Sequence, residues 1–159
     1  MLYTILTECG LDMRNRLGLT HWVPAYPRRL FEKEVTKGEV NSVEEHGSGK
    51  TVATFTASRK APPYLDLSLW DMGGEPSLYL TRLAVLPHLQ RRGIGRECVA
   101  TVERFALDLD CRSIRLDVTE RHEELLDWYL HLGYREVGRY KAFGSRMVGF
   151  EKLVSGQAS

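Results

Sequence analysis

Cysteine is scarce in this chain and unpaired. Only three occur among 159 residues, Cys9, Cys98 and Cys111. They form no CxxC pair and no zinc-ligand spacing, so neither a disulfide scaffold nor a structural metal is expected. An odd, sparse set suits a reducing cytoplasm. Charge of one sign is missing too. The 22 basic and 21 acidic residues leave a net charge of +1, which gives no bulk field for nucleic acid or an anionic membrane; neither is expected as a partner. No apolar run approaches the ~20 residues needed to span a bilayer. The segment Met1 to Leu6 lacks the basic region and long apolar stretch of a signal peptide. The expected location is therefore cytoplasmic. Repeats and low-complexity tracts are absent as well.

What is present reads as one domain, residues 1–154, with a loose tail at 155–159. Short helices are expected over 11–18, with Met13, Leu17 and Trp22 facing inward, and over 27–37, where Pro27 suits a first turn and Gly38 a stop. Strands over 39–45 and 51–58 flank His46-Gly47-Ser48-Gly49, a hairpin signal. Residues 59–76 carry Pro62, Pro63, Gly73, Gly74 and Pro76 and read as a loop. Its Tyr64, Leu65, Leu67, Leu69 and Trp70 either line a pocket or pack onto the core. A strand over 77–86, a helix over 93–109 and a strand over 113–118 form a crossover unit with parallel strands. In that helix Cys98 falls on the apolar stripe and reads as core. A helix over 122–132 ends at Gly133. Strands over 134–140 and 146–153 follow, and an exposed last strand offers an edge for pairing. The fold class is α/β of the mixed α+β kind: a central, mostly antiparallel twisted sheet with helices on both faces.

Residues Leu80 to Gly95 concentrate the chemistry. An apolar strand ends at Pro87, and Gln90-Arg91-Arg92-Gly93-Ile94-Gly95-Arg96 then opens a helix. Backbone N–H groups and positive charge at a helix N-terminus make a site for a phosphorylated ligand. A P-loop requires Gly-Lys-Ser/Thr, but Gly95 is followed by Arg96 and Glu97. A dinucleotide fingerprint requires a third glycine, and Cys98 stands there. Asp117 lies at about the right distance for a ribose contact, yet inside a strand pattern.

Gln90 to Gly95 resembles the Q/R-x-x-G-x-G/A pyrophosphate loop of the GNAT superfamily of N-acetyltransferases. Leu83-Ala84-Val85-Leu86-Pro87 is similar to that family's L-x-V-x-P strand end. Asp127-Trp128-Tyr129-Leu130-His131-Leu132-Gly133-Tyr134-Arg135-Glu136-Val137-Gly138 resembles its LYEKLGFREVG segment. The three motifs stand in the family's order, and the likeness is closest over residues 77–140. It implies a GNAT-like fold, acetyl-coenzyme A as cosubstrate, and acetyl transfer to a primary amine by direct attack in a ternary complex.

The resemblance also implies roles. Backbone N–H groups from Arg91 to Arg96, with Gly93, Ile94 and Gly95 among them, would hold the pyrophosphate, with Gln90 opening the loop. Arg91, Arg92 and Arg96 would otherwise be solvated surface. Leu83, Ala84 and Val85 would pair with the amide-rich pantetheine arm in the manner of β-augmentation. Tyr129 matches the tyrosine that gives a proton to the leaving thiolate; without the motif it would read as the apolar face of Leu125, Leu126 and Leu132. His122 stands where the family often has Asn near the pantetheine. It reads equally as a helix-start residue, with Thr119 as a cap upstream. The general base is open among Glu75, Asp66, Asp71 and Asp117. The expected acceptor is a small-molecule amine, with protein amines as the alternative. A non-catalytic coenzyme A sensor or assembly module is a further alternative, and a homodimer is compatible with the family.

Overall fold

In the N-terminal helix, apolar side chains recur at the three- and four-residue spacing that puts them on one face. Leu2, Ile5, Leu6 and Cys9 form that stripe, and in the computed structural model α1 runs over Leu2–Leu17. The structure describes residues 1–70, 75–142 and 144–154. Asp71, Gly73, Gly74 and the tail 155–159, all named above, lie outside the described residues.

Helix α1 starts nine residues earlier than 11, the start expected from the sequence. Threonines and Gly10 weaken the helical signal there, but burial of Ile5, Leu6 and Cys9 overrides propensity. Leu17 is exposed, not inward-facing. Gly10 is needed for close approach, because a Cβ there would sit 2.7 Å from the Trp22 carbonyl oxygen. Helix α2 covers Arg28–Thr36. Strands β1 (Val40–Glu44) and β2 (Thr51–Ser58) pair antiparallel across the expected hairpin. Strand β3 covers Ser77–Val85, helix α3 Ile94–Asp108 and strand β4 Ser113–Thr119. Helix α4 covers Glu123–His131, and strands β5 (Arg135–Ala142) and β6 (Ser145–Leu153) follow.

The six strands form one sheet in the order β1-β2-β3-β4-β6-β5. Strands β3 and β4 are parallel, while β4 with β6 and β5 with β6 are antiparallel. The mixed, mostly antiparallel sheet expected from the sequence is therefore the observed one. The last strand is not an edge: β6 lies between β4 and β5, and β5 takes the rim. Every second residue of β6 must then meet a covered face, and Met147 to Glu151 are all buried.

The chain divides into two compact units, residues 1–57 with 81–101, and residues 58–80 with 102–159. In the first unit Ile5, Leu6, Cys9, Phe31 and Ala84 form the core, with Trp22, Tyr26 and Leu86 against it. In the second unit the β4 sequence alternates as if one face met water, yet Arg115 is only 1% exposed. Its Nε donates to Glu151 Oε2 at 2.8 Å, and the two residues are registered neighbours on β4 and β6. Arg115 Nη1 also reaches Glu75 at 2.5 Å and Tyr79 Oη at 3.2 Å. Glu151, fully buried, takes a second bond from Arg135.

Segment 59–70 packs as well as connects. Trp70 is buried and lies over Gly149, where an added Cβ would meet its ring at 2.7 Å. Leu69 lies over Gly138 in the same way, at 3.1 Å. Two glycines in adjacent strands thus make the flat bed on which this segment rests. For Leu69 and Trp70 the core-packing reading holds.

Two stability outcomes follow from this packing. Gly149→Ala forces a rigid indole aside and should lower stability by about 1–3 kcal/mol in urea unfolding. Glu151→Gln should be more severe, about 3–5 kcal/mol, because it leaves Arg115 buried with its main partner uncharged. Replacing Arg115 and Glu151 together by Met and Leu should recover most of that loss in the same measurement.

Candidate functional site

Strand β3 leaves its parallel neighbour early. Registered pairing with β4 covers Ser77, Leu78 and Tyr79 against Ser113, Ile114 and Arg115. β3 then continues to Val85. Arg82 lies within it at φ 50°, a left-handed conformation uncommon for a residue with a side chain. Such a residue bends a strand and re-aims its backbone groups. Its side chain is fixed within the first unit. The guanidinium pairs with Glu34 and lies 4.0 Å from the centre of the Tyr26 ring, while Tyr26 Oη donates to Glu34 Oε1 at 3.0 Å.

Past the bend, Ala84 faces the core, and Leu83 and Val85 are half-buried. The Val85 carbonyl accepts from Cys9 Sγ at 3.1 Å and from Gln90 Nε2 at 3.0 Å. The Gln90 side chain therefore closes the turn onto its own strand instead of pointing outward. A 3-10 turn at Pro87–Leu89 leads into the loop. Arg91 (φ 64°) and Gly93 (φ 86°) are both left-handed. Alternating such residues with right-handed ones turns successive N–H groups to one side, an anion-binding nest. The first bond of α3 runs from Glu97 N to the Gly93 carbonyl at 3.1 Å. The N–H groups of Ile94, Gly95 and Arg96 precede it and have no partner within the helix. The helix dipole adds partial positive charge there. Arg91, Arg92 and Arg96 are exposed and add positive charge to this stretch of chain. A Cβ on Gly93 would meet no protein atom within 4 Å. Glycine is needed there for its φ, and the space beside it is open.

In the second unit, Tyr129 is buried at 5% exposure. Its ring meets Trp128 and Tyr134 edge-on at 4.9 and 5.5 Å and Phe150 at 6.1 Å. Helix α4 is followed by Leu132 and a left-handed Gly133 (φ 93°), and Lys152 Nζ donates to the Leu132 carbonyl at 2.8 Å. A cation at a helix C-terminus is favourable. His122 is the half-buried residue preceding α4, and its N–H bonds the Thr119 carbonyl at 3.1 Å. Thr119 does not cap the helix with its side chain; its hydroxyl bonds Ser145 instead. All three cysteines are buried free thiols. Burial pushes Cys98 up to about 11 and Cys9 to about 12, which keeps both protonated and unreactive.

The four candidate carboxylates separate on geometry. Glu75 is held by Arg115 and Tyr79. Asp66 accepts from the N–H and the hydroxyl of Ser68. Asp71 lies outside the described residues. Asp117 Oδ2 receives a 2.5 Å hydrogen bond from Tyr140 Oη. Burial pushes its pKa up to about 6, against the opposing pull of that bond. Tyr140 in turn meets Trp70 edge-on at 6.0 Å. Sequence reasoning named Asp117, and Trp70 as pocket-lining or core-packing, but missed Tyr140. The available signal was an acid placed between apolar residues of a strand.

Asp117 should leave a thermodynamic signature. Its folded pKa lies above the unfolded value near 3.8, so folding binds protons in this window. The carboxyl does not oppose folding below pH ~4, and its ionisation progressively does so as pH rises through ~6. The stability advantage of Asp117→Asn over the wild type should therefore grow as pH rises from about 4 to about 6, stay level above that and vanish below about pH 4, as read by thermal unfolding at each pH.

Comparisons with known proteins identify the fold and the family. The family model described as Acetyltransferase (GNAT) family matches residues 12–134. No curated protein matches the sequence. Among solved structures, a GNAT-family acetyltransferase from Listeria monocytogenes superposes with a TM-score of 0.76 at 19% identity, covering 94% of this chain and 86% of that one. Arabidopsis thaliana NAA60 in complex with a bisubstrate analogue gives 0.67 at 18%, covering 97% and 95%. Chaetomium thermophilum Naa20, also with a bisubstrate analogue, gives 0.71 at 18%, covering 94% and 80%. NAA60 has also been solved with acetyl-CoA. At these identities the likeness to solved structures is one of fold, and the family match extends over most of the sequence. The chain belongs to the GNAT family of acetyltransferases.

Proposed function

We propose that this protein transfers an acetyl group from acetyl-coenzyme A to a primary amine, by direct attack in a ternary complex. The observation that carries the reading is the loop at 90–96. Left-handed Arg91 and Gly93 open a 15-residue helix whose first N–H groups are unpaired within it, beside three exposed arginines. That donor set fits a pyrophosphate, and a chain of coenzyme A amides fits the strand end at Leu83, Ala84 and Val85, past the registered pairing of β3 with β4. Bound acetyl-coenzyme A supplies an activated thioester.

The residues of this chain do the rest. N–H groups of Ile94, Gly95 and Arg96 bind and orient the phosphates, with Arg91, Arg92 and Arg96 as counter-charge. Gln90 keeps the loop closed on Val85. His122 is assigned, by its place before α4, to the pantetheine side of the site. Tyr129 holds a proton on its hydroxyl for the departing sulfur; a phenol near pKa ~10 is matched to a thiolate whose acid lies near ~8.5. The aromatic packing of Tyr129 fixes the ring in place and is compatible with that role.

The acceptor proposed is a small-molecule amine, supported by the aromatic residues of segment 59–70. A protein amine is the second reading, favoured by the structural likeness to NAA60 and Naa20 and to the NatC complex, solved with a Gag peptide and CoA. Free-thiol release across amines, polyamines, amino acids and N-terminal peptides separates the two.

Two variants test the donor half. Gly93→Glu should abolish the thermal shift produced by acetyl-coenzyme A, since it adds a carboxylate and strains a left-handed position; unchanged protection removes the phosphate-loop assignment. Tyr129→Phe should lower kcat by about 10- to 100-fold with little change in acetyl-coenzyme A affinity, at the modest end of what one proton donor contributes. Wild-type turnover would return Tyr129 to the core alone.

A further inference from the structure

The strand end at Leu83, Ala84 and Val85 lies between two held points. At the far point the Val85 carbonyl is gripped by Cys9 Sγ from α1 and by the Gln90 amide. At the near point stands Arg82, in a place that costs stability in two ways. Its φ of 50° is strained for a residue with a Cβ. Its Nε is also buried with no hydrogen-bond partner among the described residues. Glycine would carry neither cost. What arginine adds is a side chain that neighbours can hold.

That hold comes from α2 and the segment before it. Glu34 pairs with the Arg82 guanidinium, and the two side chains are only 19% and 14% exposed. The Arg82 guanidinium carbon lies 4.0 Å from the centre of the Tyr26 ring, and Tyr26 Oη donates to Glu34 Oε1 at 3.0 Å. Each of the three groups thus fixes the other two. The triad is itself anchored. Tyr3 Oη, on α1, donates to the Tyr26 carbonyl at 2.8 Å, and the Tyr3 ring packs on Phe31, a core residue of α2.

We propose that Glu34 and Tyr26 are positioning residues for the cosubstrate. By clamping the Arg82 guanidinium they keep β3 in its left-handed bend, and the bend aims the backbone of Leu83 to Val85 at the pantetheine arm of acetyl-coenzyme A. This rests on the coenzyme A reading above and adds the device that maintains its binding conformation. Released from the clamp, residue 82 relaxes to the extended region that side-chain-bearing residues prefer. Rotation about one φ redirects the backbone groups that follow it. Only the fraction of molecules still bent then binds, and the apparent affinity falls by that fraction.

The test reads the dissociation constant of acetyl-coenzyme A by isothermal titration calorimetry on the full chain, each variant first checked for folding by circular dichroism. Glu34→Ala should raise that constant about 5- to 100-fold, the factor set by releasing one strained residue. Tyr26→Phe keeps the stacked ring and loses one hydrogen bond, so its effect should be smaller. Rescue is the decisive arm. Adding Arg82→Gly to Glu34→Ala should recover most of the affinity, because glycine takes a φ of 50° without strain. Adding Arg82→Met should not, although it equally removes the stranded charge. Should Glu34→Ala not fold, Arg82→Gly and Arg82→Met in the wild-type background make the same comparison, with glycine binding the more tightly.

A merely structural clamp would lower the melting temperature of Glu34→Ala and leave its dissociation constant at the wild-type value. That result overturns the proposal and spares the coenzyme A reading. Equal rescue by glycine and methionine, or rescue by neither, also overturns it, since the backbone angle is then not what the clamp supplies. If the wild type does not bind acetyl-coenzyme A, the coenzyme A reading falls and this inference falls with it.

Discussion

A guanidinium sealed inside the second unit sets the terms for its neighbours. Arg115 and Glu151 face each other across β4 and β6, both essentially without solvent. Such a pair is weak evidence for stability, since two hydrophobic residues of similar volume often do as well. Its effect is on specificity. Any slip of β6 against β4 would leave a buried charge unpaired, so the register is fixed. The pair also determines which carboxylates are free. Glu75 and Tyr79 are drawn onto Arg115, and Glu151 is shared with Arg135. Asp117, next on the same face of β4, keeps its carboxyl for the Tyr140 hydroxyl.

The first unit relies on backbone conformation. Three left-handed or bent positions within a dozen residues shape β3 and its loop: Arg82, Arg91 and Gly93. A non-glycine residue in that region costs on the order of 1–3 kcal/mol and persists only where its surroundings enforce it. At Arg82 the enforcement is the ion pair with Glu34 and the stacked Tyr26 ring. At the loop it is the Gln90 amide, returned to Val85. The unit thus holds a strand end and a ring of N–H groups in a conformation that the free chain would abandon.

Much of this was legible beforehand. Helix α3 and strands β2, β3, β4 and β6 fall within one or two residues of the sequence reading, because long apolar stripes and glycine or proline stops carry that information locally. Helix α1 was mostly missed, since Thr4, Thr7 and Gly10 dilute a stripe that only burial against Phe31 and Ala84 makes decisive. The edge strand was misassigned for a related reason. Nothing local states that β6 inserts between β4 and β5. The loop at 90–96 was legible because its glycines and arginines are contiguous, whereas the partners of Asp117 come from Tyr140 and Trp70, distant in sequence.

The sequence by itself determined the family, the glycine- and arginine-rich loop, the helix that follows it and the mixed sheet, all of which depend on contiguous pattern and backbone preference. Tertiary structure decided which charges are spent and which remain. Arg115, an ordinary alternating strand residue by its pattern, is buried and paired. Glu75 is thereby tied to a guanidinium, and Asp117 keeps its hydrogen bond from Tyr140 with its proton affinity raised. Proton affinity depends on burial and on partners brought from other strands, and no stretch of contiguous residues encodes either.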